Sequence, residues 1–426
     1  MICLEIKKGQ ICGQRISQRL EELAEISETK NGVTRLSFTK EFQRGQDLVK
    51  KWMSDAGMKV RVDNVNNIIG RYEGAKPNAP ALMIGSHLDT VINGGKYDGM
   101  LGVIAGIEIV QVLYENDTRL DHPIEVIGFS DEEGVRFHST FLGSKAIAGT
   151  FSPQTLELTD ETGITLASSL EELGLEPYQY KSAARHENDV LGYIELHIEQ
   201  GPVLEKEGLP CGVVTGIAGA SRFSFKVTGF AGHAGTVPLD LRRDALSGAA
   251  EIILAIEKLA KENAPIVATV GKLQVNPGAS NVIPGEVTGT LDIRDTDAVR
   301  KSRVIDEILH AANTICQKRN LSFQVEKIME TDPTLCDANI IAAIESSILS
   351  NGMRTISLIS GAGHDAMAMA DLTKVGMIFV RCKEGISHNP AEFAAVKDIE
   401  MGAKVLLDTV IQLTVKNSNM EKEKVN

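Results

Sequence analysis

The sequence predicts an α/β protein: a main α/β domain built from two chain segments, with a smaller α+β domain inserted between them. Three observations lead there. Short apolar strand-like runs alternate with helical periodicity through residues 1–217, the pattern of a mainly parallel sheet covered on both faces. Residues 218–330 then carry the order β-α-β-β-α-β, the split arrangement of a ferredoxin-like sheet. Strand–helix alternation resumes over 331–416, and the Lys/Glu-rich stretch 417–426 reads as a disordered tail.

The elements follow in order. Ile16, Leu20 and Leu23 stand at helical spacing within 13–27. Leu48 and Trp52 mark a second helix over 39–56, with Gly57 as its stop. Residues 59–71 alternate like strands, 81–85 is a short buried strand, 99–114 an apolar helix and 124–129 another buried strand. The polar, acidic stretch 154–190 reads as loops with a short surface helix, and strand character returns at 192–198. In the insert, strands at 222–228, 266–275, 286–293 and 321–326 accompany helices at 244–263 and 297–319. The second segment holds a helix at 338–350, strands at 355–359 and 376–381, and a C-terminal helix at 398–416.

Charge and composition narrow the function. Lys and Arg number 44 against 57 Asp and Glu, a net charge of −13, which argues against non-specific binding to nucleic acid or anionic lipid. It does not exclude a small anionic substrate, which needs only a local positive group. No apolar run approaches the ~18 residues of a membrane span. The opening MICLEIKKGQ is too short in apolar residues for a signal peptide. Six scattered cysteines (Cys3, Cys12, Cys211, Cys316, Cys336, Cys382) form no CxxC pair and read as reduced thiols, so a cytoplasmic location is expected.

Five of nine histidines sit in short Gly-rich or acidic contexts: GSHLDT, LHIEQG, GHAGT, GAGHDA and GISHNP. In GSHLDTVINGGKYDG, His87 and Asp89 are two apart and leave an extended chain on one face, which suits a ligand imidazole steadied by a carboxylate. Asp98 lies in a Gly-rich turn that opens a helix; a polar loop with an Asp cap is the plainer alternative. Glu132 and Glu133, in SDEEG, directly follow a buried strand and point opposite ways, so one can bind a cation while the other faces substrate; a solvated acidic turn is the alternative. His197 and His388 also follow strand runs, and open α/β sheets build their sites at such ends. Together His87, Asp98, Glu133, His197 and His388 make a five-ligand set, matching two cations roughly 3.5–4 Å apart with one bridging carboxylate. Imidazole with carboxylate suits Zn²⁺ or Mn²⁺.

GSHLDT…GGKYDG, SDEEG, ELHIEQGPVLE, GHAGT, NVIPG, GAGHDA and GISHNPAE together resemble the M20-type metallopeptidase/amidohydrolase superfamily, from about residue 15 to 415. Within it the chain is similar to the hydantoinase/carbamoylase subfamily, which includes N-carbamoyl-L-amino acid hydrolases, β-ureidopropionases and allantoate amidohydrolases. The peptidase branch generally has a carboxylate where His197 stands. The resemblance implies two divalent ions per subunit: His87 and His197 on one, Glu133 and His388 on the other, and Asp98 between them. It further implies Asp89 orienting His87, a cis peptide after Asp98, and a homodimer formed through a lid/dimerisation domain at 218–330.

The activity implied is hydrolysis of a ureido or amidine-like C–N bond by a two-metal hydroxide, with Glu132 as general base. His233 is the expected oxyanion donor, supplied by a partner subunit. Arg294, in LDIRD, and Asn281, in GASNVIPG, are expected to hold a substrate carboxylate, and Gln200 the ureido group. The tight loop with Gly363 and His364 can lend further donors. Residues 131–149 and 360–392 look especially like allantoate amidohydrolases, which implies conversion of allantoate to ureidoglycine, ammonia and carbon dioxide in purine (ureide) catabolism. An N-carbamoyl-L-amino acid hydrolase is the nearest alternative. A dipeptidase, or a non-catalytic binding protein on the same fold, stands further off.

Overall fold

A computed structural model describes residues 10–423. The first stretch has helices α1 (Gly13–Ala24) and α2 (Lys40–Asp55), strands β1 (Lys59–Val62), β2 (Ile68–Tyr72) and β3 (Ala81–His87), then α3 (Met100–Glu115) and β4 (Ile124–Phe129). Short helices α4 (Leu142–Ala148) and α5 (Leu166–Glu172) lead to β5 (Val190–Ile198), α6 (Val203–Glu207) and β6 (Cys211–Ile217). Next come β7 (Gly219–Thr228), β8 (Gly232–His233), α7 (Ala245–Glu262), β9 (Val267–Asn276), β10 (Val282–Ile283), β11 (Glu286–Asp295), α8 (Ala298–Lys318), β12 (Ser322–Glu330) and β13 (Thr334–Leu335). The chain closes with α9 (Ala338–Ser350), β14 (Ser357–Ser360), α10 (Asp365–Met369), β15 (Val375–Val380) and α11 (Val396–Glu423).

The residues fall into two compact units. One runs up to Thr215 and resumes at Cys336; the other is Gly216–Leu335. In the first unit the strand order is β1-β2-β4-β3-β5-β15-β6, with β14 also on β6. Its centre is parallel: β4 with β3, β3 with β5, and β5 with β15. The flanks are antiparallel, so the sheet is mixed rather than mainly parallel. The reason is connection length. A parallel neighbour needs a crossover of a dozen or more residues, and the short link from β1 to β2 permits only a hairpin. The sheet also has a strand the periodicity did not mark, β6.

α3 shows why this unit has one large core. Thirteen of its sixteen residues are buried, including Ile104, Ile107 and Val110. A helix apolar all round belongs inside. It packs on β3 and also meets α1 and α11, joining both chain segments in one cluster with Ile16, Ile399 and Val405. Within this cluster Cys211 and Cys382 are buried, and the five cysteines among the described residues are free thiols.

The second unit has the antiparallel order β12-β7-β11-β9, the ferredoxin-like topology. Burial alternates strictly along β11, whose inward Val287, Leu291 and Ile293 meet Ile252 and Ile256 of α7 and Val304 and Ile308 of α8. Both helices are N-capped by aspartates, Asp244 and Asp297, each accepting two backbone N–H groups.

Two expectations are corrected. The helix α11 runs on to Glu423, where a disordered tail was expected from 417; Glu and Lys are good helix formers and extend it. The opening residues 1–9, and 424–426, lie outside the described residues. The cis peptides among the described residues precede Pro265 and Pro277, so the bond after Asp98 is trans. A non-proline cis bond is costly. Gly99 makes the turn instead, at φ 73 and ψ −57. No helix among the described residues is long and apolar enough to cross a membrane.

Candidate metal centre

Four parallel strands carry the site at their C-terminal ends, where open α/β sheets gather ligands. His87 is the last residue of β3, His197 lies one from the end of β5, Glu132 and Glu133 follow β4, and His388 follows β15. Asp98 stands two residues before α3. The strand order β4-β3-β5-β15 makes these ends neighbours, although the residues span 87 to 388 in the chain.

Asp98 is the hub. Its Oδ1 lies 3.1 Å from His197 Nε2 and 3.4 Å from His87 Nε2. Its Oδ2 lies 3.2 Å from His388 Nε2, which is in turn 3.4 Å from Glu133 Oε1. Two donor groups result, His87–Asp98–His197 and Asp98–Glu133–His388, each with its ligand atoms within 4.8 Å of one another. These are the five residues the motifs single out, and Asp98 is shared.

The rings are aimed from behind by main-chain carbonyls. His87 Nδ1 meets Asp89 O at 2.9 Å and His197 Nδ1 meets Ile198 O at 2.9 Å, leaving each Nε2 forward. Gly99 gives His87 its room: a Cβ there would stand 2.4 Å from the imidazole. The expectation for Asp89 needs correction. Its carboxylate is 3.8 Å from His87 Nδ1 and instead accepts the backbone N–H groups of Glu132 and Glu133, each at 3.1 Å. Asp89 thus aims the imidazole with its carbonyl and braces the acidic loop with its side chain.

The electrostatics fit a cation. Burial pushes Asp98 upward, but hydrogen bonds from His197, His388 and His87 outweigh it and hold its carboxyl well below the usual range. His388, through its hydrogen bond to Asp98, is raised to about 9. Burial raises Glu133 to about 7 and drives Glu132 well above the ordinary carboxylate range. Protons and a divalent cation compete for the same lone pairs, so these residues answer each other with protons in a place that suits metal charge. Oxygen and imidazole donors without thiolate are the right chemistry for a hard or borderline divalent ion. Glu132 belongs to the same pocket: its Oε2 is 4.0 Å from His87 Nε2, and it is 8% exposed.

The other expected residues divide between the two units. Gln200, at φ 54, donates through Nε2 to Asp98 Oδ2 at 2.8 Å and to Ser387 Oγ at 3.0 Å, while its buried Oε1 has no partner. It therefore touches the hub carboxylate rather than standing clear of it. His364 is buried, with Nε2 2.7 Å from Ser360 Oγ and its ring edge-on to His197 at 4.5 Å. Burial and the neighbouring His197 keep His364 well below the usual imidazole range, hence neutral. Gly363 precedes it in the same loop, against Phe141.

In the second unit, His233 of β8 pairs with Val282 of β10, so it lies beside Asn281, whose carbonyl accepts the Ala234 N–H at 3.0 Å. Arg294 extends from β11 and grips Asp292 with Nε at 2.7 Å and a second nitrogen at 3.2 Å. Arg222 holds the same carboxylate at 2.7 Å.

Several residues of the quoted motifs take part in the site without having been assigned a role. Ser387 Oγ lies 2.8 Å from Asp98 Oδ2, and Glu392 accepts the N–H groups of Tyr97 and Asp98. Glu195, beneath His197, accepts Ser86, Tyr193 and the Ala366 N–H. Only their closeness to His388 or His197 in the chain could have marked them.

The family model for peptidase family M20/M25/M40 matches residues 83–412. The chain belongs to that family. It is 46% identical to an N-carbamoyl-L-amino acid amidohydrolase of Geobacillus stearothermophilus, over 95% of this chain and 99% of the relative. It is 41% identical to allantoate deiminase 1 of Glycine max, over 92% of this chain and 87% of the relative. Among solved structures, a hydantoinase/carbamoylase family amidase from Burkholderia multivorans aligns with a TM-score of 0.90 at 34% identity, covering 95% of this chain and 98% of that one. The sheet with its hub carboxylate is thus an M20 family architecture.

Proposed function

We propose that the chain is a metal-dependent amidohydrolase acting on the ureido group of a small carboxylic acid. Its proposed substrate is allantoate, which with water gives ureidoglycine, ammonia and carbon dioxide. The observation that carries the reaction type is the Asp98 carboxylate set among three imidazoles, with Glu133 completing the second donor group and the buried acid Glu132 alongside. Relatives named for N-carbamoyl amino acids and for allantoate support the substrate class.

His87, His197, Asp98, Glu133 and His388 would hold two divalent ions, Zn²⁺ or Mn²⁺. Bound there, such ions supply Lewis acidity for the scissile carbonyl and lower the pKa of water. The chain's own groups do the rest. Glu132 takes a proton from the attacking water on its carboxylate and returns it to the leaving nitrogen. The Asp89 carboxylate fixes the main chain of Glu132, so the base meets the water in one orientation. Arg294 and Asn281 take the substrate carboxylate, the guanidinium by its planar fork. His233, supplied by a partner copy, donates to the oxyanion, and Gln200 turns its unpartnered Oε1 to a ureido N–H. The second unit also pairs two copies of the chain.

A second reading, N-carbamoyl-L-amino acid hydrolysis, is favoured by the higher identity to a relative of that name, 46% against 41%. Steady-state ammonia release from allantoate and from a panel of N-carbamoyl-L-amino acids, on one preparation of known metal content, separates them. A higher kcat/KM for allantoate is expected. A higher value anywhere on the panel transfers the assignment, and release of amino acids from dipeptides with neither ureide turned over makes the chain a peptidase.

A further inference from the structure

The hub carboxylate has a second set of contacts, from motif residues that are not themselves proposed ligands. Glu392 is 4% exposed and sits four residues past His388. Its Oε1 accepts the N–H of Tyr97 at 2.9 Å and of Asp98 at 3.1 Å. Its Oε2 is 3.1 Å from Ser387 Oγ, which is 2.8 Å from Asp98 Oδ2. Gln200 Nε2 closes the figure, 3.0 Å from that hydroxyl and 2.8 Å from the same Asp98 oxygen. The main chain and side chain of Asp98 are thus both referred to one carboxylate, 294 residues away.

The loop bearing Glu392 also carries a ligand. His388 has φ 54, a conformation that a non-glycine residue keeps only when its surroundings hold it. Asn389 turns the chain back, its side chain accepting the Ala391 N–H and its carbonyl the Glu392 N–H. Glu392 therefore anchors the far end of the turn that presents His388. Space for it comes from Gly95, where a Cβ would stand 2.2 Å from the Glu392 carboxyl.

We propose that Glu392 is a positioning residue that sets the Asp98 carboxylate and the His388 loop in one register, so that both cation positions are defined together. This rests on the two-cation reading above. The role is geometric. In Glu392→Gln the amide oxygen still accepts both backbone N–H groups. The new NH₂ donates to Ser387, leaving the serine proton for Asp98. In Glu392→Ala the two N–H groups lose their acceptor and Asp98 is free to turn. Gly95→Ala reaches the same end differently, by pushing an intact Glu392 off the amides.

The test is calorimetric titration of the full chain, freed of metal, with Mn²⁺ and with Zn²⁺. It is paired with visible absorption spectra of the Co²⁺-loaded protein, which report ligand geometry without turnover. Wild type is expected to bind two ions. Glu392→Ala and Gly95→Ala are expected to bind about 10–100-fold more weakly, the usual effect of losing an outer partner of a ligand. Their Co²⁺ spectra should change together, and Glu392→Gln should match wild type in both readouts. If Glu392→Ala does not fold, Gly95→Ala, which keeps the carboxylate, decides. Wild-type binding with unchanged affinity in the Gly95 or Glu392→Ala variant overturns this role and leaves the metal centre standing. A Gln variant as weak as Ala overturns it too, because charge would then be the contribution. A wild type that binds no divalent ion removes the centre and the proposal with it.

Discussion

Gly99→Ala is the sharpest probe of how the hub is built. Gly99 stands between Asp98 and the first turn of α3 at φ 73, where an L side chain costs about 1–2 kcal/mol. The larger effect is local. The added Cβ would lie 2.4 Å from the His87 ring, and ordinary contact begins near 3.4 Å, so the imidazole must retreat by about 1 Å. Ligand distances in metal sites hold to about ±0.2 Å. His87 has no easy escape, because its Nδ1 is tied to the Asp89 carbonyl and its backbone is paired in parallel with Phe129 of β4. The variant should fold with a modest loss in denaturant stability and lose the ion shared by His87 and His197. Metal content after dialysis, measured by elemental analysis, should fall from two ions per chain toward one. Two ions retained at wild-type affinity would refute the reasoning, because His87 would then not be bound where the close approach of Gly99 places it.

Four further outcomes follow from the same geometry. Glu132→Gln should keep its metal and lose about 10²–10⁴-fold in kcat; unchanged turnover would remove Glu132 as the base. Chelation should lower the unfolding temperature as well as activity, since ligand at a hundredfold its Kd stabilises by about 2.7 kcal/mol; an unshifted melt would mean that cations do not bind the folded chain. Arg294→Ala should raise KM for a carboxylate substrate, with Arg294→Lys recovering only part of it because lysine lacks the planar fork; equal KM in all three would exclude Arg294 from binding. Arg35 is fully buried, its guanidinium lowered to about 10 by burial and still charged at neutral pH. It donates to Leu23, Ile26 and Leu88 carbonyls, so Arg35→Met should destabilise by at least about 2 kcal/mol in denaturant melts, and a neutral result would show that water replaces those bonds.

The convergence of His87, Asp98, Glu133, His197 and His388 was legible because each sits in a short motif at or beyond a strand end, where a sheet of this kind gathers groups. The topology of the insert was legible for a related reason: its strands alternate and its helices are amphipathic, so period alone separates them. What stayed hidden has physical causes. A strand buried on both faces reads as one apolar run whether its neighbour is parallel or antiparallel, so the direction of β6 left no trace. β6 is such a run, short and glycine-containing, and reads as a connection. The spacing of His87 and Asp89 put both on one face, but spacing carries no information on whether the carbonyl or the carboxylate meets the ring. Glu392 was invisible because its partners are backbone N–H groups on a distant loop.

The same facts explain how ligands so scattered can define one centre. The second unit is inserted after β6, yet β15 returns beside β5 in parallel register, with Phe379 opposite His197. The end of β15 therefore adjoins the end of β5 however long the intervening chain is, and His388 inherits that neighbourhood. Asp98 needs no strand of its own, because the turn at Gly99 returns the chain over the end of β3 before α3 descends into the core. What remains to be set is the rotation of each ligand once its strand has delivered it. His87 and His197 take theirs from carbonyls of their own or the adjoining turn. Asp98, the one ligand common to both donor groups, takes its from across the site. A carboxylate that is to serve both proposed cation positions must satisfy two directions at once, which a single local contact does not fix. The hub is accordingly held across the site through both its main chain and its side chain, by Glu392, Gln200 and Ser387.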